Sequence, residues 1–297
     1  MTTPESASGR SCPEVRLTRP VTDEERKAYA RDGAAVLKGI LPLEWADCMR
    51  GAVDRLLERS APSSQNYALD GDRRFFAQAF PWLDDEAFRL WALHGPLTEL
   101  ARQVLTDATR VNFFYDQVFV KEPGAATATP WHQDAPYLPL RGEQILRIWV
   151  PFDRVTADNG ALQYLKGSHA WNVTYHPIGF KAGPEITDAY AESPYQDQPD
   201  FEADHDRYEW LVGAAEPGDA LLHHPRTVHG SRGNTTDGFR RAVASMYTGD
   251  DVTWDPHPAN MFDNPDLAGH VTMPDLEPGG PIDCPLFPPV WPERSEP

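Results

Sequence analysis

Apolar positions recur at helical spacing up to about residue 109, then give way to aromatic and β-branched runs broken by turn residues. In the first part, Thr22 with Glu25 three positions on has the pattern of a capping box. It predicts a helix from there to about Arg31, ended by Asp32-Gly33. "AAVLKGI" (34–40) reads as a short strand. The stretch 42–60 is amphipathic, with Trp45, Met49, Val53 and Leu56/Leu57 on one stripe, and predicts a second helix. Two more are expected at 84–93 and 96–106, separated at His94-Gly95. In the second part "RVNFFYDQVFVKEP" predicts a strand, and further strands are expected at 144–152, 160–165, 219–223 and 239–248. Turns such as Asp158-Asn159-Gly160 and Pro217-Gly218-Asp219 divide them. No internal repeat is visible. Helices first and strands after is the order of an α+β, β-rich chain whose N-terminal helices buttress a double-sheet jelly roll.

Between and around these elements the pattern weakens. Residues 1–20 are polar and Pro-containing and are expected to be a disordered lead-in to a single domain spanning 21–297. The segment 171–212 is polar, aromatic and too long for an ordinary connection, which predicts a lid-like insert. The Pro-rich stretch from 250 onward is expected to wrap irregularly over the strands.

Composition narrows the partners. The 29 Pro and 21 Gly imply short elements and many turns. The formal charge of −18 disfavours nucleic acid and anionic membranes. It could also hint at a cationic substrate, although solubility explains it more simply. No apolar run is long enough to span a bilayer, and "MTTPESASGRSCPEV" lacks the apolar core of a signal peptide, so a cytoplasmic location is expected. Cys12, Cys48 and Cys284 are too few and scattered for a disulfide framework.

Candidate chemistry begins at His132-Gln133-Asp134. Residues at i and i+2 of extended chain face one way, so this His and this carboxylate can reach one metal ion. His229, at the end of a later strand–turn segment, could supply a third ligand. Two His and one carboxylate on one face of an octahedron leave three positions open, the arrangement of non-haem Fe(II) oxygenases. Arg240, on the following strand, could take a carboxylate bidentately. Arg241 is its rival, since neighbours in a strand face opposite ways, and the spacing favours Arg240. His223 and His224 are weaker alternatives to His229 as ligands. Lys121 and Arg147 are the other cations worth following, each expected on a solvated face.

At these residues the chain resembles the phytanoyl-CoA dioxygenase family of Fe(II)/2-oxoglutarate oxygenases. The resemblance covers roughly residues 22–250 and rests on "YARDGAAVLKGIL", "DQVFVKEPG", "WHQD", "RIWVPFDRVTADNGALQYLKGSH" and "HGSRGNTTDGFRRA". It implies a double-stranded β-helix core of the jelly-roll or cupin type. It implies His132, Asp134 and His229 as iron ligands, and Arg240 as anchor for the distal carboxylate of 2-oxoglutarate. Ser231, Trp149 and Gln117 match positions that help hold this cosubstrate, and His169 belongs to a structural hairpin. Phe114, Trp131, Tyr137 and Trp171 are candidates to line the substrate pocket. The implied reaction uses Fe(II), 2-oxoglutarate and O2 to oxidise a C–H bond of a small molecule, releasing succinate and CO2. Three other readings stay open: a halogenase, which Asp134 opposes; a jelly-roll metalloenzyme without 2-oxoglutarate; and a non-catalytic binding module.

Overall fold

The computed structural model describes residues 16–59, 61, 63–179, 193–258 and 260–292. The expected lead-in therefore falls largely, and the expected lid partly, outside the described residues.

Helix α1 (Asp23–Asp32) starts at the capping box, with Thr22 accepting from Glu25 N–H and Glu25 returning to Thr22 N–H. It ends at Gly33, where φ is 73° and an added Cβ would lie 2.4 Å from His169 and 2.5 Å from Thr227. The Gly33 carbonyl accepts from His224 N–H (2.9 Å) and Thr227 Oγ (2.8 Å), so this bare corner ties the first helix to the segment leading into His229. His169 also sits here, its Nε2 3.2 Å from the Ala30 carbonyl.

Strand β1 (Ala34–Leu37) and helix α2 (Leu43–Arg59) follow. Trp45, Met49, Val53 and Leu56 are buried, whereas Leu57 is half-buried at the edge of the stripe. After strands β2 (Ser64–Asn66) and β3 (Phe75–Ala79) come helices α3 (Glu86–Leu93) and α4 (Pro96–Val104), parted at His94-Gly95. Trp91 of α3 packs on Trp45 (ring centroids 5.4 Å apart) and Phe152 (5.9 Å), so the helices close a core against the next sheet.

The remaining strands are β4 (Val111–Lys121), β5 (Thr129–His132), β6 (Leu140–Arg141), β7 (Ile145–Pro151), β8 (Leu162–Leu165), β9 (Trp210–Val212), β10 (Ala220–His223), β11 (His229–Ser231), β12 (Arg240–Thr248), β13 (Thr253–Trp254) and β14 (Pro289–Trp291). The large sheet runs β1-β10-β7-β12-β4-β3-β2, with β14 also paired to β4; the small one runs β5-β11-β8-β9. The sheets form the two layers of a double-stranded β-helix without closing into one barrel. One face of the large sheet packs on the helices, and the other faces the small sheet across a cavity.

Register places the cavity residues in transverse rows. His223, Arg147, Met246 and Tyr115 form one row, and Leu221, Trp149, Ala244 and Gln117 the next. Arg240 and Lys121 pair near the opposite end of β12 and β4. Strands β2, β3, β9 and β14 have no counterpart in the sequence pattern. Each is three to five residues long and defined by a distant partner, as β3 is by β4. The tail reaches back to the sheet through β14 and through Phe287, and its turns at 261–263 and 265–267 stand at the cavity mouth.

Candidate metal and cosubstrate site

His132 ends β5 and His229 opens β11, and the two are directly paired across these antiparallel strands with ring centroids 4.2 Å apart. Asp134 is not in the strand. The chain turns at φ −74°, ψ −31° there and enters a short 3₁₀ turn, and this bend carries the carboxylate to the two rings. Gln133, between them, points away and clamps the bend: its amide donates to the Arg226 (2.8 Å) and Val173 (3.1 Å) carbonyls and accepts from Tyr175 N–H.

One ligand atom from each of His132, Asp134 and His229 lies within 4.8 Å of the others. Asp134 Oδ1 is 3.6 Å from His132 Nε2 and 3.9 Å from His229 Nε2. Nδ1–H of His132 donates to the Pro130 carbonyl (2.8 Å) and Nδ1–H of His229 to that of Thr227 (3.0 Å). These backbone bonds fix the tautomer that leaves both Nε2 lone pairs aimed at the carboxylate. Burial, with His132 and His223 close by, holds the His229 imidazole well below its ordinary range and hence neutral. Burial opposes ionisation of Asp134, yet its contacts with His132 and His223, and His229 and Arg147 nearby, hold its carboxyl well below the usual carboxylate range. Two imidazoles and one carboxylate, with a ligand atom of each within 4.8 Å of the others, fit an Fe(II) ion with open positions.

His223 does not join the cluster as a ligand. Its Nε2 lies 3.2 Å from Oδ2, the other oxygen of Asp134, where N–H donation would fix the carboxylate's rotation. His224 lies off the cavity, its ring 5.8 Å from His169.

Farther along the cavity, Arg240 is 3% exposed and its Nε has no hydrogen-bond partner. Its guanidinium lies 5.6 Å over the Trp149 ring, and burial pushes its pKa down to about 10. Arg241 faces the other way and is ion-paired, its Nε donating to Asp54 (2.8 Å) and its Nη1 to both oxygens of Asp153 (2.8 and 3.0 Å). Ser231, Trp149, Gln117, Thr129 and Arg240 all line the cavity with the three metal candidates. Its volume is about 650 Å³.

Two expectations change. Lys121 and Arg147 are not solvated: they are 0% and 3% exposed. Lys121 donates to Ser231 Oγ (3.1 Å) and the Arg232 carbonyl (2.6 Å), so it orients the serine beside Arg240. Of the aromatic candidates, Tyr137 lines the cavity but Phe114, Trp131 and Trp171 stand outside its lining. The β12–β4 register shifts beside Phe114, which stacks instead on Phe287 at 4.5 Å. Trp131, next to His132 on β5, takes the opposite face and packs on Trp210 at 4.4 Å. Trp171 is 39% exposed beside Tyr208. The cavity instead uses Tyr115 and Phe119, which follow from Gln117 by simple alternation along β4. It also uses Tyr67, Met261 and Leu267 from irregular segments, for which the sequence carries no signal.

The fold and site define a double-stranded β-helix protein carrying a His-Asp-His centre beside a buried arginine. The family model described as "Phytanoyl-CoA dioxygenase (PhyH)" matches residues 29–242. The chain belongs to this family, and it is an iron- and 2-oxoglutarate-dependent dioxygenase. It is 24% identical over 248 residues to the peroxisomal phytanoyl-CoA dioxygenase of Homo sapiens, covering 78% of this chain and 69% of that one. Among solved structures it is similar to the non-heme alpha ketoglutarate dependent carbocyclase SnoK from nogalamycin biosynthesis, with 22% identity and a TM-score of 0.70, covering 94% of this chain and 100% of the other. It is likewise similar to the epimerase SnoN in complex with Fe3+, alpha ketoglutarate and nogalamycin RO, with 23% identity and a TM-score of 0.68, covering 90% and 98%. Among the described residues no helix is long and apolar enough to cross a membrane.

Proposed function

We propose that this enzyme oxidises an unactivated C–H bond of a small, largely apolar molecule of specialised metabolism, releasing succinate and CO2, in the cytoplasm. His132, Asp134 and His229 hold Fe(II), and Arg240 with Ser231, Trp149 and Gln117 holds 2-oxoglutarate. One observation carries this reading: two imidazoles and a carboxylate gathered within 4.8 Å, and a buried guanidinium whose Nε has no partner, open onto the same cavity.

Bound iron supplies dioxygen activation coupled to decarboxylation of 2-oxoglutarate. The chain's own contribution is positional. The backbone bonds to His132 and His229 and the His223 contact to Asp134 keep three ligand atoms on one side, leaving the other side to small molecules. Arg240 offers its unsatisfied N–H groups to the far carboxylate in a dry setting, where a charge-assisted pair is strong. Ser231, oriented by Lys121, donates to Thr129 (3.1 Å) at the cavity wall and is placed to turn toward the same carboxylate. Tyr115, Phe119 and Leu162 exclude water around the reacting C–H bond.

The insert at 171–212 is read as a lid. Its described part packs Tyr175, Phe201 and Tyr208 into an aromatic cluster with Trp210, and Ile178 exchanges hydrogen bonds with Tyr137 at the cavity wall. Limited proteolysis should cut it readily in the empty enzyme and poorly once substrate is bound. Exposed Asp263 and Asp266 at the mouth disfavour a polyphosphate carrier such as coenzyme A. The function is tested by measuring succinate formed from 2-oxoglutarate under Fe(II), ascorbate and air. Its absence, with the metal bound, would leave a metalloprotein that does not use 2-oxoglutarate.

A further inference from the structure

Arg240 accounts for one buried guanidinium in the cavity; Arg147 is a second, near Asp134 and bonded to Gln117 but with a donor left over. Arg147 Nη2 donates to Gln117 Oε1 (3.2 Å), and its guanidinium stacks over the Tyr115 ring at 4.3 Å. Its Nη1 is buried with no hydrogen-bond partner, and no described carboxylate forms an ion pair with it. Leaving such a group bare costs free energy that a ligand oxygen would recover.

Position separates it from the cosubstrate anchor. Arg147 stands in the row of Met246 and Tyr115, whereas Arg240 pairs with Lys121 at the far end of the same strands. From Arg240 to Met246 the chain runs roughly 20 Å at ~3.3 Å per residue. Both arginines line one cavity with the metal candidates, of which Asp134 is near Arg147 and bonded to its row neighbour His223. A short dicarboxylate held by Arg240 and the metal leaves Arg147 facing the remaining space, walled by Tyr67, Tyr115, Tyr137, Leu138 and Met261.

Resting on the function proposed above, we infer that Arg147 is a specificity-determining residue, binding a carboxylate on the substrate that is oxidised. The substrate class is an apolar monocarboxylate. Its acid group meets Arg147 Nη1, and its body lies along the aromatic wall beside the metal. One guanidinium matches one negative charge, whereas a dianionic phosphate would bury a charge without a partner.

The experiment titrates 2-naphthoate, 4-phenylbutyrate and octanoate, each against its primary amide, into Mn(II)-loaded enzyme saturated with 2-oxoglutarate. At least one acid should bind 30-fold or more tighter than its amide, together with 2-oxoglutarate and not in competition with it. Arg147→Met should bring acid and amide within threefold and, although it frees Gln117, weaken 2-oxoglutarate at least tenfold less than it weakens the acid, while Arg147→Lys should keep part of the preference. Overturning results are no preference in any pair, displacement of 2-oxoglutarate by the acids, or a loss of 2-oxoglutarate affinity in Arg147→Met as large as the loss of acid affinity. The first two are read on the wild-type enzyme and stand even if the methionine variant fails to fold. Titrating 2-oxoglutarate alone reports separately on the underlying function, since failure to bind there would sink that reading and not merely this one.

Discussion

Arg240 and Arg241 are consecutive on β12, yet one enters the cavity without a partner while the other meets Asp54 and Asp153 behind the sheet. The two faces of the large sheet differ in the kind of group they leave unsatisfied. On the helix side, Trp45, Trp91, Phe113 and Tyr247 fill the space, and Tyr247 OH donates to the Ala92 carbonyl (2.8 Å). On the cavity side His223, Arg147 and Arg240 are buried with donor or acceptor atoms left over. The helix side also buries an unbonded indole N–H, on Trp91; the cavity side differs in that its leftover atoms belong to guanidinium and imidazole groups able to meet a ligand.

The comparison can be broken first at the metal candidates. His229→Ala should remove succinate formation by a thousandfold or more and abolish tight Fe(II) binding, with the circular dichroism spectrum unchanged. Retained wild-type turnover would remove His229 from the ligand set. On the opposite face, Trp91→Ala should lower unfolding stability by about 3–5 kcal/mol, because a fully buried indole leaves a void between α2 and the sheet. If the two faces are independent, the folded variant keeps its 2-oxoglutarate affinity. Arg241→Ala should cost about 1–3 kcal/mol by removing the Nη1 donor that both oxygens of Asp153 accept from, again with cosubstrate binding intact. Denaturant titration of both variants, followed by 2-oxoglutarate titration, checks this.

A smaller effect concerns His224, which ties the segment before His229 to Gly33. Burial, then Arg226 and His169, push its pKa down to about 3 from an ordinary 6.5. The folded state therefore keeps it neutral while the unfolded chain takes up a proton below pH 6.5. Its stabilising contribution is complete above pH 6.5 and is lost as pH falls toward 3, by about 1 kcal/mol over the first unit. Unfolding free energies measured between pH 7 and pH 4 should fall less steeply in His224→Gln; an unchanged slope would contradict the assignment.

Local patterns were the legible part of the fold. The capping box at Thr22 and Glu25, the stripe of α2 and the alternation of β4 and β12 each depend on neighbours within a few residues. The site was legible where residue type and spacing carry chemistry, as in His132, Asp134, His229 and Arg240. What failed depended on three-dimensional partners. A lysine and an arginine on strands read as solvated, because burial of Lys121 and Arg147 is decided by sheets that meet only in the fold. Phe114 read as a pocket residue because the shift that turns it toward Phe287 has no local signature. Asp134 reaches the metal candidates through a bend rather than the strand alternation that suggested it.

The most direct test is the affinity of Mn(II)-loaded enzyme for 2-oxoglutarate in the wild type, Arg240→Ala and Arg241→Ala. Loss of one side of a buried charge-assisted contact costs about 2–5 kcal/mol, so Arg240→Ala should weaken binding on the order of 30-fold to several thousandfold. Arg241→Ala should stay within about twofold. Equal affinities in all three proteins, or the reverse ranking, would contradict the assignment of the cavity face as the cosubstrate site.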